Sequence, residues 1–445
     1  MKSIILILSI LIISLQYTGA QETLSASEAV LIALENNFDM EIAGKRTEIA
    51  EKKNNWSEAG LFPTVDLTAG YNQAIVDNTN NPFTFTPGLI YNAQASPSLN
   101  INWNLFSCFR VKITKDQLQQ LEEQSKGNAA VILENTAFDV LNAYYNVVLQ
   151  QKQLDNLNEV FELTKKRVEY EESKQRLGQS NQLAVAQNRN QLLTDSINIM
   201  QQEINRDNAY RNLLLLMNVP AENMKPELFP VLTDSLNINL SDMDDKEVQK
   251  KIASNNQNLK NQLINLELQK TNTSLQRTFL YPTLSLQLGG SPSFGNFRAL
   301  NDQNLNASTQ QITYFANVNL RYTLFNNWKT KRAVEISRIE EEIAQLNISE
   351  LEKQLYANSI NLIELFTLRN RLVNVAAANR EYALLAYQAG QDRYNLGALN
   401  SIDLMQLQLA YLNAQLNYST ILFQRIQTYL EIYRVTGMLQ LEYKK

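Results

Sequence analysis

Leu61-Phe62-Pro63-Thr64-Val65-Asp66-Leu67 closes one pattern and opens another. Upstream, apolar residues recur at helical spacing; downstream, apolar and polar residues alternate strictly. Proline lacks the amide hydrogen a helix needs and drives its predecessor towards extended geometry, so it can switch period 3.6 to period 2. Leu280-Tyr281-Pro282-Thr283-Leu284-Ser285-Leu286 repeats the switch 219 residues later (282 − 63). Pro63 and Pro282 are therefore read as helix-to-strand switches. The chain reads as two copies of one helix–strand–strand–helix–helix unit.

Outward from each switch the alternation predicts two strands per copy, at about 64–76 and 97–106, then 283–291 and 313–325. Val65, Leu67, Ala69 and Tyr71 alternate with Asp66, Thr68, Gly70 and Asn72; Leu99, Ile101, Trp103 and Leu105 alternate with Ser98, Asn100, Asn102 and Asn104. The second copy does the same with Leu284, Leu286 and Leu288, and with Ala316, Val318, Leu320, Tyr322 and Leu324. Each strand thus has one oily and one wet face. A half-buried soluble hairpin would show this too. The strand lengths approach the roughly 9–11 residues of a membrane-crossing strand. Aromatics (Tyr71, Trp103, Phe106, Tyr314, Tyr322, Phe325) are expected near the strand ends, as an interfacial girdle requires. The wet faces are Asn, Ser, Thr and Gln, suited to a water-filled lumen. An outer-membrane barrel is the favoured reading. Four strands cannot close one, since single-chain barrels start at roughly eight, so the chain must pool strands with its own copies.

The flanking stretches read as helices. Ser25 to Glu28 has the spacing of a capping box and starts a helix that ends at Asn36-Asn37; Asp244 to Asn255-Asn256 is its echo. A second helix is expected from about 38 to 60, with a counterpart at 257–280. From about 107 to 175 there is no proline, and ~69 residues would make a helix of about 100 Å. Leu154, Leu157, Phe161, Thr164 and Val168 give it a coiled-coil seam. Leu177-Gly178 breaks it, glycine supplying a left-handed cap, and a returning helix (about 182–217) carries Leu193, Ile197, Met200 and Ile204. In the second copy a helix from 328 to 395 bears Leu365, Leu368, Leu372, Val375 and Tyr382. Leu396-Gly397 breaks it, and a helix from 401 to 435 returns. Gly178 and Gly397 again differ by 219, as do Phe106 and Phe325. Chance similarity between helices drifts out of register, so the constant offset marks a duplication.

The expected organisation is a signal peptide at 1–20, repeat 1 at 21–220, a proline-bearing linker at 221–243 with a short strand within 228–232, and repeat 2 at 244–445. Lys2, the apolar run Ile4–Leu15 and Thr18-Gly19-Ala20 have the layout of an export signal. A net charge of −5 with no basic stripe argues against nucleic acid as partner. The chain has no histidine and one cysteine, Cys108. Imidazole metal sites, His-based catalysis and internal disulfides are thereby removed. No phosphate-cradling glycine loop stands out. The expectation is a non-enzymatic protein without a cofactor, and Cys108 reads as an unreactive thiol.

Four features, each present twice in register, resemble the TolC-like outer-membrane efflux protein family over essentially the whole mature length. They are Asn-Asn after the first helix, the Leu-x-Pro-x-x-x-Leu switch, the Leu-Phe closing each hairpin, and the Leu-Gly helix tips. The resemblance implies a mixed α and β membrane protein, trimeric and internally duplicated, with four strands per subunit entering an outer-membrane β-barrel. Long coiled-coil helices form its periplasmic tunnel. It implies a passive exit duct for small molecules such as drugs, in contact with outer-membrane lipid, a periplasmic adaptor protein and an inner-membrane transporter. Two alternatives stay open: a duct for secreted polypeptides or metal ions, and a structural trimeric coiled-coil surface protein. The family often places Asp-Gly-Gly after Leu-Phe, where this chain has Ser107-Cys108-Phe109 and Asn326-Asn327-Trp328.

Residue roles follow from the resemblance. Leu177, Gly178, Gln179 and Ser180, with Leu396, Gly397, Ala398 and an exposed Leu399, are the expected adaptor-docking tips; a tight helix turn alone would also explain the glycines. Asp403 matches a position that can form a carboxylate ring at the axis, and Gln406 would add a neutral ring one turn on. Asn400 and Asp403 equally have the spacing of a helix N-cap and its N3 partner. Tyr394 matches a gate tyrosine, with packing at a helix end as the plain alternative.

Overall fold

The computed structural model describes residues 23–84, 86–238, 240, 244–300 and 306–439. The expected signal peptide lies outside the described residues. In chain order the elements are β1 (Thr23–Leu24), α1 (Ala26–Asn36), α2 (Phe38–Lys53), β2 (Thr64–Asp77), β3 (Leu89–Phe106), α3 (Arg110–Arg176) and α4 (Gln182–Leu216). There follow β4 (Val231–Leu232), α5 (Asp245–Asn255), α6 (Gln257–Thr278), β5 (Thr283–Ala299), β6 (Asn306–Arg321), α7 (Lys329–Asn395) and α8 (Ser401–Val435). The elements group into two compact units, one holding residues up to 45, 127–260 and from 350, the other 46–126 and 261–349. Each draws on both sequence copies.

The second unit contains one antiparallel sheet in the order β2-β3-β5-β6. The register pairs Val65 with Ile101, Ile101 with Leu288, and Leu288 with Ala316, so the four alternating patterns fall into phase on one face. A bulge between Asn104 and Phe106 sets Phe106 opposite Leu284, adding its ring to that apolar face. The strands are longer than expected, except that β6 ends at Arg321 and leaves Tyr322–Phe325 outside it. The expected strands began at 97 and ended at 291, beside Pro97 and Pro292, residues that cannot donate to a ladder. The β3–β5 register is the same on both sides of the gap, Ala95↔Phe294 and Leu99↔Gly290, which puts Pro97 opposite Pro292. Two residues without an N–H face each other, and the loss is confined to one place. The earlier start of β6 moves Tyr314 into mid-strand, where Tyr71 also stands in β2.

α2 stops at Lys53, short of the expected 60. Asn55 Oδ1 accepts from the Glu58 N–H at 2.8 Å, an Asx turn that competes with the helix. The second copy has Ser274 there and α6 runs on to Thr278. Asn54 and Lys115, and Arg110 and Thr278, tie helix segments within this unit.

The first unit is helical. Its main core gathers Ala29, Val30, Ala33, Val140, Tyr144, Val147, Leu213 and Ile426, all essentially buried. Ser25 and Glu28 make the reciprocal capping box. The linker is tied in by two residues: Thr23 and Leu24 pair in parallel with Val231 and Leu232. The Tyr144 hydroxyl lies 2.8 Å from Leu24 O and 2.9 Å from Asp234 Oδ2. Asp234 Oδ2 also accepts the Ala26 N–H at 2.8 Å. Among the described residues no helix is long and apolar enough to cross a membrane.

α4 inverts the usual amphipathic rule. Asn188, Asp195 and Gln202, seven apart, are buried, whereas Leu193, Ile197, Met200 and Ile204 are exposed. The expected apolar seam exists on α4, but it is exposed, uncovered by the described residues. Likewise Leu368, Val375 and Tyr382 of α7 are exposed, while on α3 Leu154, Val160, Thr164 and Val168 are buried.

Candidate functional site at the hairpin tips

Both helical hairpins turn in the same way. Gly178 has φ +72° and Gly397 φ +75°, in the left-handed region that costs an L side chain strain. Gly178 N–H donates to Gln175 O and Gln179 N–H to Lys174 O; Gly397 N–H donates to Tyr394 O and Ala398 N–H to Arg393 O. This pair of bonds is the Schellman arrangement, which satisfies the last carbonyls of α3 and α7. The returning helices are capped by asparagines 219 apart: Asn181 Oδ1 accepts from Ala184 N–H at 2.9 Å, and Asn400 Oδ1 from Asp403 N–H at 2.8 Å. Leu177 and Leu396 stand 73% and 84% exposed at the very ends. Gln179 and Ala398 are exposed and Ser180 half-buried. Leu399 corrects the expectation: it is half-buried and packs against Tyr387, Tyr394, Leu404 and Tyr411. It lies one residue before the α8 cap, where the chain bends back onto its own hairpin, so Leu396 is the exposed leucine.

Asp403 is exposed, and its Oδ2 accepts from Asn400 Nδ2 at 2.8 Å. The cap geometry is therefore present, with a carboxylate oxygen on the surface. Gln406 is exposed one turn on.

Tyr394 is 1% exposed. Its hydroxyl donates to Glu171 Oε1, and the Ser180 hydroxyl donates to Glu171 Oε2 at 2.5 Å. Tyr394 meets Tyr170 edge-on at 5.4 Å, and the Lys174 ammonium lies 4.6 Å from its ring centre. Burial, then the Glu171 carboxylate, push the Tyr394 phenol far above its ordinary value, so it stays a donor.

Below these lies a buried polar lattice. Arg167 Nε donates to Asn188 Oδ1 at 2.6 Å and Nη1 donates to Gln408 Oε1. Asn188 Nδ2 donates to Ser401 Oγ at 2.6 Å, and Gln408 Nε2 to Thr164 Oγ1 at 2.8 Å and Val160 O at 3.0 Å. Thr164 in turn donates to Asp195 Oδ2 at 2.6 Å. Burial lowers the Arg167 pKa, and Nη2 has no hydrogen-bond partner among the described residues. Glu171, Arg167, Asn188 and Gln408 were not singled out from the sequence. Their signal was the seven-residue spacing of polar residues, Thr164 and Glu171, Asn188 and Asp195, Ser401 and Gln408, which places them on one helix stripe.

Residues 30–219 match the family model described as outer membrane efflux protein. The match covers the first copy, and the second carries the same switches and tips 219 residues on. No curated protein sequence matches the chain. Among solved structures, the CmeC outer membrane channel of Campylobacter jejuni is 17% identical, with 93% of this chain and 85% of that chain covered at a TM-score of 0.77. The outer membrane protein VceC of Vibrio cholerae is 13% identical, with 93% and 96% covered and a TM-score of 0.72. The open state of the Neisseria gonorrhoeae MtrE outer membrane channel is 15% identical, with 93% and 89% covered and a TM-score of 0.70. At such identities the likeness is one of fold. The chain shares the helical portion and the sheet of those channels, with Ser-Cys-Phe and Asn-Asn-Trp at its strand-to-helix turns.

Proposed function

We propose that three copies of this chain form the outer-membrane exit duct of a tripartite efflux system, passively conducting small molecules delivered by a periplasmic adaptor and an inner-membrane pump. One observation carries the reading: a four-stranded sheet with one continuous apolar face has two edge strands, β2 and β6, unpaired among the described residues. In lipid an unpaired backbone group costs several kcal/mol, so an open edge cannot persist there. Three copies supply twelve strands and close the barrel edge to edge.

The apolar face supports the same reading. From Trp103 to Ala95, which pairs with Tyr71, the strand advances eight residues, about 27 Å along its axis. With the ~40° tilt of barrel strands this spans about 20 Å, close to the apolar band of such barrels. Tyr71 and Phe294 then mark the far boundary, and the polar run Asn306–Gln311 continues beyond it into water.

The bare stripe on α4, Leu193, Ile197, Met200 and Ile204, is the surface expected to meet a neighbouring copy. Ion conductance in planar bilayers and the mass of the detergent-solubilised protein test the proposal. Wild type should be trimeric and conducting, and Ile197→Glu with Met200→Glu should shift it towards monomer and abolish conductance. A monomeric, non-conducting wild type would sink the duct reading.

The tips are the proposed adaptor contact, through Leu177, Gly178, Gln179, Ser180 and Leu396, Gly397, Ala398, with half-buried Leu399 supporting the turn from beneath. Tyr394, Asp403 and Gln406 are the proposed gate residues. Crosslinkers at 179 and 398 should capture the adaptor in cells with a working pump; no adaptor adduct would count against docking there.

A further inference from the structure

The two strand-to-helix junctions share one backbone geometry and hold an aromatic residue at the same position. Cys108 and Phe109 have φ of 51° and 62°, and Asn327 and Trp328, 219 residues on, have 55° and 59°. A bulky residue is disfavoured there and glycine is not. Both copies nevertheless hold a large aromatic at the second position, and both rings are exposed. Phe109 is 70% exposed and edge-on to Phe106 at 6.4 Å; Trp328 is 61% exposed and edge-on to Phe325 at 5.9 Å.

Basic residues follow at matching positions, Arg110 and Lys112 in one copy, Lys329 and Lys331 in the other. The Lys331 ammonium lies 5.4 Å from the Trp328 ring centre, and the Arg110 guanidinium 4.1 Å from that of Phe279. Lys112, Lys329 and Lys331 are exposed, and none of these four bases is in an ion pair with a described residue. Each junction thus presents an exposed aromatic ring followed within three residues by exposed lysine without an ion-pair partner among the described residues.

What covers this surface is argued from continuity and charge. Phe106 stands opposite Leu284 and so extends the apolar sheet face that carries Val65, Leu288 and Val318. At the first junction that face ends in order, first apolar side chains, then the Phe106 and Phe109 rings, then Lys112. Aromatic rings settle at the headgroup level of a bilayer, and lysines just beyond it are drawn to anionic lipid. A soluble partner would account for the cations but not for their placement at the rim of the lipid-facing surface.

We propose that each junction binds the phosphate headgroup of an anionic phospholipid. Phe109 and Trp328 lie at the boundary between acyl chains and headgroups, and Lys112 in one junction and Lys329 with Lys331 in the other face the phosphate, while Arg110 stays on Phe279 and Thr278. The inference rests on the proposed reading of the sheet as a membrane-embedded barrel.

The test uses the full-length protein reconstituted into vesicles of phosphatidylcholine and phosphatidylglycerol in equal parts. The lipids retained after detergent extraction are counted by native mass spectrometry. Each lysine near an anionic surface should favour phosphatidylglycerol by about five-fold, and Lys112→Gln with Lys331→Gln should remove most of that preference. An unchanged lipid ratio overturns the proposal. Quenching gives an independent reading: the fluorescence lost in Trp328→Phe should be quenched more by brominated phosphatidylglycerol than by brominated phosphatidylcholine. Equal quenching overturns it. Conductance is recorded on the same samples. A conducting protein without lipid preference overturns this site and leaves the duct standing, whereas failure to insert into either vesicle overturns both.

Discussion

Tyr394 of α7 and Ser180 beside the other tip both donate to the buried carboxylate of Glu171, so one acidic side chain links the two helical hairpins of the chain. The hydroxyl-to-carboxylate bond is charge-assisted and out of water, the setting in which such bonds are strongest and their loss most costly.

Tyr394→Phe keeps the ring, its packing on Tyr170 and the Lys174 contact, and deletes the one bond. The variant should lose about 1–3 kcal/mol, because Glu171 stays buried with Ser180 as its remaining donor of the two. Urea titration of the purified protein reads this. If the bond also holds the tips shut, single-channel recordings should show a higher resting conductance; unaltered conductance would leave Tyr394 a packing residue.

Asp403→Asn separates cap from pore. Asparagine can still accept from Asn400 Nδ2, so stability should change by less than about 0.5 kcal/mol. Three like charges near one axis attract cations, so cation selectivity and block by multivalent cations should fall in planar bilayers. Unchanged selectivity and block would make Asp403 a cap only.

Leu177→Ser and Leu396→Ser test the adaptor surface. Both side chains are largely in solvent, so the melting temperature should hold within experimental scatter while adaptor crosslinking from 179 and 398 falls. Retained crosslinking would place the docking surface elsewhere. Gly397→Ala is the contrasting change. An added Cβ meets nothing within 4 Å, so its cost of about 1 kcal/mol would come from the left-handed backbone alone.

Glu134 predicts a pH dependence. It is 5% exposed, its Oε1 has no hydrogen-bond partner among the described residues, and burial raises it to about 7 against the pull of Arg434 and Lys260. The folded state therefore binds a proton more tightly than the unfolded chain. The stability this contributes is fully present below about 4.5 and is lost as pH rises through about 7. Glu134→Gln should leave the melting midpoint unchanged at pH 4.5 and raise it by a few degrees at pH 8. A midpoint equally affected at both values would show that Glu134 does not titrate in this range.

Much of this was readable in advance, because the decisive signals are local. Pro63 and Pro282 each stand just before the first residue of a strand, Gly178 and Gly397 permit a left-handed cap, and period 2 marks a strand, whatever lies around them. Asn400 belongs with these, since a cap forms within four residues, and Asn181 caps the first hairpin in the same way. Strand ends were less legible: Pro97 and Pro292 each look like a stop, and are tolerated because each lies opposite the other across the β3–β5 ladder.

By itself, then, the amino-acid order determined the duplication, the element types, the tips and the need for more strands than one chain has. Only the tertiary structure decided which faces are covered. An apolar stripe such as Leu193, Ile197, Met200 and Ile204 reads as core in any one helix, and the chain buries the polar stripe of Asn188, Asp195 and Gln202 instead. Burial and hydrogen bonding are pairings between residues distant in sequence. Tyr394 meeting Glu171, 223 positions away, is a property of the packed helices and of no local pattern.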